Sequence, residues 1–272
     1  PGGIIEREAD GKTPNGVMQE NAHFTLFFKF IPKFTEKDSI MVYKAGEASY
    51  LANGFTTVQD GKTDLASLNL LPKMAASPGF DVDIISYADI AAIGDDKILH
   101  SDLMSSEYTN GFRIGGVKLT FDGSPQGKTA WFTEPYFKVP EGKAPDYLGY
   151  PAFTDEEALK WMKLAYDNKW QLLIHTNGDA AIDQLLNLVE KLDPNSTQPD
   201  HRTVMIHGQF TRLNQVKQLK SLGIFPGLYP MHTFYWGDWH RDSVAGKERA
   251  ENISPTGWFL DEGMRFTIHS DA

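Results

Sequence analysis

The chain contains no cysteine. Disulfides and zinc–thiolate sites are therefore excluded, and any metal must be held by histidine, carboxylate or a modified lysine. No stretch approaches the roughly 18 consecutive apolar residues of a membrane-spanning helix. The opening PGGIIEREADGK lacks the basic-then-apolar order of a secretory leader. A basic stripe is missing too: the formal charge is −10, spread along the chain, which argues against nucleic acid as a partner. The expectation is a soluble protein, of cytoplasm or periplasm alike, that acts on a small molecule.

What is present is enough chain for one sizeable core: 272 residues, about the size of a (β/α)₈ barrel. The organising stretch is Gln171 to Glu190. The apolar run Leu172-Leu173-Ile174 reads as a strand buried on both faces. It ends at His175 and passes through Thr176-Asn177-Gly178-Asp179 into Ile182, Leu185, Leu186 and Val189 at helical spacing. Asp179 occupies the position expected of an N-cap. In parallel α/β folds, ligands bind at the C-terminal ends of strands, so a histidine there is a candidate.

Further strands are expected at 55–61, 81–88, 115–121, 203–207, 224–229 and 265–270, with helices between them. Residues 1–22 read as turns and loop. Phe24, Phe27, Phe28 and Phe30 suggest a buried cover, and Ser39 to Ala52 reads as a helix reaching Gly54. Thr63 is expected to cap a helix carrying Leu65, Leu68 and Leu71. One or two short helices are expected in Ile90 to Asn110. The stretch from Gln126 to Pro151 is too long for a plain connection and reads as a functional loop. Thr154 to Glu157 forms a capping box, Pro230 to Gly246 reads as an aromatic loop, and Ser254-Pro255 opens a short helix. Alternating strands and helices argue for parallel βα units, seven strands in all.

Four polar residues stand at strand ends, in order Lys118, His175, His207 and Asp271. Each alone has an ordinary reading: a hydrogen-bonded histidine, a salt-bridged lysine, a helix cap. Together, aimed at one face, they suit a divalent metal of the zinc kind. A lysine carbamylated by carbon dioxide becomes an anion able to bridge two ions. His232 and Asp238 are candidates for contacting substrate. The aromatics of the two long loops fit either an apolar pocket or the core of a lid. His23, His100, His201 and His240 read as structural, and His269, inside the last strand, as packed and hydrogen-bonded.

These residues resemble the amidohydrolase superfamily, specifically amidohydrolase family 3, which includes enzymes like N-substituted formamide deformylase. Six segments carry the resemblance in order. They are Pro1 to Ile5 with Asp10-Gly11 and Thr13 to Val17; Gly54 to Asp60; Val117-Lys118-Leu119 with Asp122-Gly123-Ser124, Thr129-Ala130 and Glu134-Pro135-Tyr136; His175 with Gly178-Asp179-Ala180-Ala181; His207 with Gln209; and Ser270-Asp271-Ala272. The resemblance implies a (β/α)₈ TIM-type barrel cleaving a non-peptide C–N bond with metal-activated water. It implies one or two zinc ions, Lys118 as a carbamylated bridging ligand, and His175 and His207 as ligands of the second ion. Asp271 would be a ligand of the first ion and the general base. Asp122, Ser124 and His232 would face the substrate.

The family's first strand ends in a His-X-His pair, which this sequence lacks, and its small β-sandwich domain is also missing. The expectation is thus a partial barrel over residues 1–272: 1–52 a cover segment, 53–272 strands two to eight. An unpaired sheet edge there would favour a homo-oligomer. Two other readings stand beside the hydrolase: a non-catalytic barrel fragment serving as a binding or structural module, and a metal-free enzyme using Asp60 and Asp122 as acid and base.

Overall fold

The computed structural model describes residues 3–30, 34–194 and 200–271. The quoted Pro1-Gly2 and Ala272, and the side chain of Phe28, lie outside the described residues.

The first segment corrects the expectation of turns and loop. Strands β1 (Gly3–Arg7) and β2 (Pro14–Glu20) pair antiparallel. Asp10 closes their connection, its carboxylate accepting from the N–H groups of Lys12 and Thr13, both at 2.8 Å. Helix α1 (Asn21–Phe30) follows. Its Phe24, Phe27 and Phe30 are exposed rather than buried, Phe30 at 79%. Helix α2 (Glu36–Ala52) starts three residues before Ser39, because Thr35 and Asp38 form a reciprocal capping box.

The alternating units then run as expected, with shifted ends. They are β3 (Thr57–Thr63), α3 (Leu65–Ala75), β4 (Asp83–Asp89), α4 (Ile90–Ile93), a 3₁₀ turn at Lys97–His100 and β5 (Phe112–Thr120). Asp64, not Thr63, caps α3, accepting from Ser67 N–H at 2.8 Å. Next come α5 (Asp155–Asp167), β6 (Gln171–Thr176), α6 (Asp179–Leu192), β7 (Val204–His207), α7 (Leu213–Ser221) and β8 (Phe225–Leu228). The expected aromatic loop is instead helix α8 (Met231–Trp239), running into a π-helical turn at His240–Val244. The chain closes with α9 (Gly246–Ala250), α10 (Thr256–Asp261) and a two-residue β9 (Thr267–Ile268), shorter than expected. Strands β3 to β9 are hydrogen-bonded in chain order. The pairs β3–β4, β4–β5, β7–β8 and β8–β9 are parallel. This is the wiring of successive βα units.

Two compact units divide the chain. One comprises Ile31–Leu119 and Asp167–Leu173; the other Pro1–Phe30, Thr120–Tyr166 and Ile174–Ala272. In the first, Val58 pairs with Ile84, Ile84 with Phe112 and Asp89 with Lys118. The second holds the long loop 126–151, which has its own core. There Ala130, Phe132 and Tyr136 pack with Phe210, Val244 and Ala245. Among the described residues, no helix is long and apolar enough to cross a membrane.

Candidate metal centre

Three strand ends, at Thr176, His207 and Ile268, fall in the second unit. Leu172, Leu173 and Ile174 of β6 are buried, as expected of a strand covered on both faces, and deliver His175 at its end. The following turn is held tightly. Asp122 is fully buried, and its carboxylate accepts from the main-chain N–H groups of Trp131, Asn177 and Gly178 at 3.0, 2.9 and 2.8 Å. Burial pushes the Asp122 carboxyl up to about 7, against the pull of those three donors. Trp131 passes so close that a Cβ on Gly178 would lie 1.9 Å from its carbonyl oxygen. Gly178 is therefore the N-cap of α6, and Asp179 is its first helical residue. The Asp179 carboxylate turns instead to Thr133 N–H at 2.9 Å and to Arg212, whose guanidinium also forks onto Asp183 at 2.7 Å.

This clamp orients His175. Its Nε2 lies 3.2 Å from the Gly123 carbonyl oxygen and 3.4 Å from Asp122 Oδ1, both acceptors. With the proton on Nε2, the Nδ1 lone pair faces His207 Nε2 across 3.2 Å. Two ligand atoms each 2.0–2.1 Å from one tetrahedral zinc lie about 3.3 Å apart, so the pair fits a shared cation. Asn177 Nδ2 also approaches His175 Nε2, at 3.0 Å. Without a cation the ring can carry its proton on either nitrogen, whereas a cation at Nδ1 fixes it on Nε2.

His207 ends β7 in the left-handed region, φ +74°, a conformation that L residues pay for and that clusters at functional sites. One ligand atom each from His207, His269 and Asp271 lie within 4.8 Å of one another, the group among the described residues able to hold a metal ion. His269 is the residue the sequence reading set aside as packed. Its imidazole is packed, against Tyr229 at 5.1 Å, but it stands in the cluster as well. Asp271 is exposed and also left-handed, φ +56°. The structure thus sets His175 beside His207, and His207 in one group with His269 and Asp271. Lys118 is buried, 6% exposed, on β5 in the other unit.

Of the residues expected to face substrate, Asp122 serves the clamp just described. The Ser124 hydroxyl accepts from Gly127 N–H at 3.2 Å within its own turn. His232 is buried on α8 with Gln126 Nε2 at 2.8 Å from its Nδ1, and its ring meets that of Tyr229 edge-on at 4.2 Å. His240, fully buried on the π-helical turn, lies behind it, Nε2 at 3.4 Å from His232 Nδ1. Asp238 is exposed and pairs with Arg241 at 3.0 Å.

Burial pushes the imidazoles of His232 and His240 down to about 4. An unfolded chain takes up the same protons near pH 6.5. Between pH 6.5 and 4 the unfolded state therefore binds more protons than the native one, and stability falls as pH drops. The melting temperature is expected to decline across that window, and less steeply in His240→Leu. Equal slopes in both proteins would acquit the pair.

The model of the amidohydrolase family matches residues 1–272, the whole chain. Among curated proteins, the chain is 22% identical over 274 residues to YtcJ of Bacillus subtilis (strain 168), whose given name is that of an amidohydrolase; the match covers 100% of this chain and 49% of that protein. It is 30% identical over 141 residues to the Arabidopsis thaliana protein LONG AFTER FAR-RED 3, covering 50% of this chain and 22% of that one. The chain thus spans half or less of the curated relatives it matches. Among solved structures, an uncharacterized metal-dependent hydrolase from Pyrococcus horikoshii OT3 superposes with a TM-score of 0.77 at 20% identity, over 98% of this chain and 52% of that one. The zinc complex of the atrazine chlorohydrolase TrzN from Arthrobacter aurescens TC1 gives 0.51 at 13% identity, over 88% and 49%. With its βα wiring and the family match over its whole length, this chain belongs to the amidohydrolase family.

Proposed function

We propose that this chain is catalytic barrel sequence of a metal-dependent hydrolase that cleaves the C–N bond of an amide-like small molecule. The observation that carries the reading is the 3.2 Å approach of His175 Nδ1 to His207 Nε2, with Asp271 in the same group of potential ligands as His207. His175 and His207 would hold a zinc-like ion from one side and Asp271 from another. Lys118 enters through the family resemblance. Carbon dioxide adding to the neutral amine of its Nζ, with loss of one proton, would give an anion suited to bridging metal.

A bound divalent ion would supply an activated water and polarise the scissile carbonyl. The chain's own residues then do the following. Asp271 accepts the water's proton and delivers it to the leaving nitrogen. With a cation at Nδ1 the His175 proton would sit on Nε2, where the Gly123 carbonyl can accept it, and the Asp122 clamp holds the strand-to-helix turn in place. His232, its Nδ1 engaged by Gln126, presents Nε2–H as a donor to the substrate. The metal-free alternative is weakened by Asp122, whose oxygens already take three main-chain donors.

The test is hydrolysis of a panel of N-formyl and N-acyl amines before chelation, after chelation and after zinc is restored. Activity lost to chelation and recovered with zinc is the expected result. Hydrolysis that survives chelation would favour the metal-free enzyme, and a chain that neither binds metal nor turns over would favour the binding module.

A further inference from the structure

We propose that His269 is a metal ligand, adding an imidazole beside Asp271 that lies outside the ligand set implied by the sequence resemblance. The inference rests on the metal reading above.

It starts from register. Gly227 pairs with Thr267 and Leu228 with Ile268, and His269 N–H donates to Leu228 carbonyl oxygen at 3.1 Å. The next row therefore sets His269 beside Tyr229, on the sheet face opposite Leu228 and Ile268, because successive side chains alternate. The two rings stack at 5.1 Å with 20° between their planes, which fixes the imidazole's orientation.

His207 pairs with Leu228. By alternation alone its side chain would share the face of Leu228, away from His269. It does not, and the backbone supplies the reason. A φ of +74°, against about −120° in a parallel strand, rotates the Cβ by roughly half a turn about the N–Cα bond. The ring is carried to the other side, and the His207 and His269 centroids come to 4.9 Å.

The outcome is three donors of the kind that hold zinc, two imidazoles and a carboxylate, within 4.8 Å of one another. Counted with His175 the set would number four protein ligands, and water would enter as a fifth, a coordination number that catalytic zinc sites reach. The gradation in burial suits it as well: His207 is buried, His269 half-buried and Asp271 exposed, so the cluster is anchored at one end and reachable by water at the other. Side-chain rotation has to draw the three atoms in by about 1 Å to reach tetrahedral spacing.

The competing account is that His269 only stacks on Tyr229. His269→Phe separates the two, since it keeps an aromatic ring against Tyr229 and removes both nitrogens. The purified chain is stripped by chelation and titrated with zinc ion. At least a tenfold weaker zinc affinity in His269→Phe than in wild type, with the same circular dichroism, is the expected result. Equal affinity overturns the assignment of His269 and leaves the His175–His207 pair standing. A wild-type chain that takes up no zinc overturns the metal reading and His269 with it. Should His269→Phe fail to fold, imidazole nitrogen NMR of the wild type decides: a His269 ring nitrogen that shifts with zinc supports coordination, and one that stays put refutes it.

Discussion

Replacing His207 by alanine is expected to remove both the bound metal and the hydrolysis, lowering kcat/KM on the order of 10³-fold or more. The size of the effect follows from its double position. His207 faces His175 Nδ1 at 3.2 Å on one side and belongs to the group with His269 and Asp271 on the other. Among the described residues, no other stands in both arrangements. Metal content by elemental analysis, measured with activity, checks it; a folded His207→Ala protein that keeps its zinc would remove His207 from the site. A second variant isolates the backbone. At φ +74° glycine is relaxed where alanine is strained, so His207→Gly should be more stable than His207→Ala by about 1 kcal/mol. Both should be equally inactive.

The other large effect is expected at Asp271, of a different kind. Asp271→Asn keeps an oxygen that can face a cation but removes the proton acceptor. Turnover should fall about 10²- to 10⁴-fold in protein saturated with zinc, with the metal still bound. The substitution is mild for the backbone, because asparagine tolerates the left-handed φ of +56° about as well as aspartate does. Steady-state kcat at saturating zinc is the measurement. Wild-type turnover in Asp271→Asn would hand the proton transfer to another group. Comparing the two variants separates metal holding from proton transfer, since one is expected to lose the ion and the other to keep it.

The parts of this molecule legible in the sequence are those written in short-range pattern. Leu172-Leu173-Ile174 running into His175, the turn at Gly178 and the periodic apolar face of α6 place one candidate ligand directly. His207 follows from the same pattern at β7. Three features were hidden for separable reasons. The pairing of β1 with β2 is hidden because β2 is largely exposed, so no buried alternation marks it. Helix α8 is hidden because its aromatics are distributed all round it. Only His232 is buried, while Phe234 is 84% exposed, and no apolar stripe betrays a helical period. His269 is hidden because strand alternation sets it opposite His207, and a single left-handed backbone angle reverses that. Asp122 shows a further limit. A carboxylate after a strand reads the same whether it faces a ligand or main-chain N–H groups, and only the folded chain shows Trp131, Asn177 and Gly178 around it.

The long loop has its ties already made. Trp131 N–H is bound to Asp122, Thr133 to Asp179, and the carbonyl of Pro135 accepts from Arg249. Phe137 and Lys138 N–H donate to Val244 and Ser243 of the π-helical turn at 2.8 and 2.9 Å. A loop tied down in this way would have little conformational entropy left to lose if a ligand bound against it. Its amides should exchange slowly with deuterium, and its backbone should resist protease, unlike a flap that orders only around substrate. Specificity would then be altered poorly by grafting the loop alone. A new loop would need Asp122, Asp179 and Arg249 as its moorings, and without them it would arrive as slack chain.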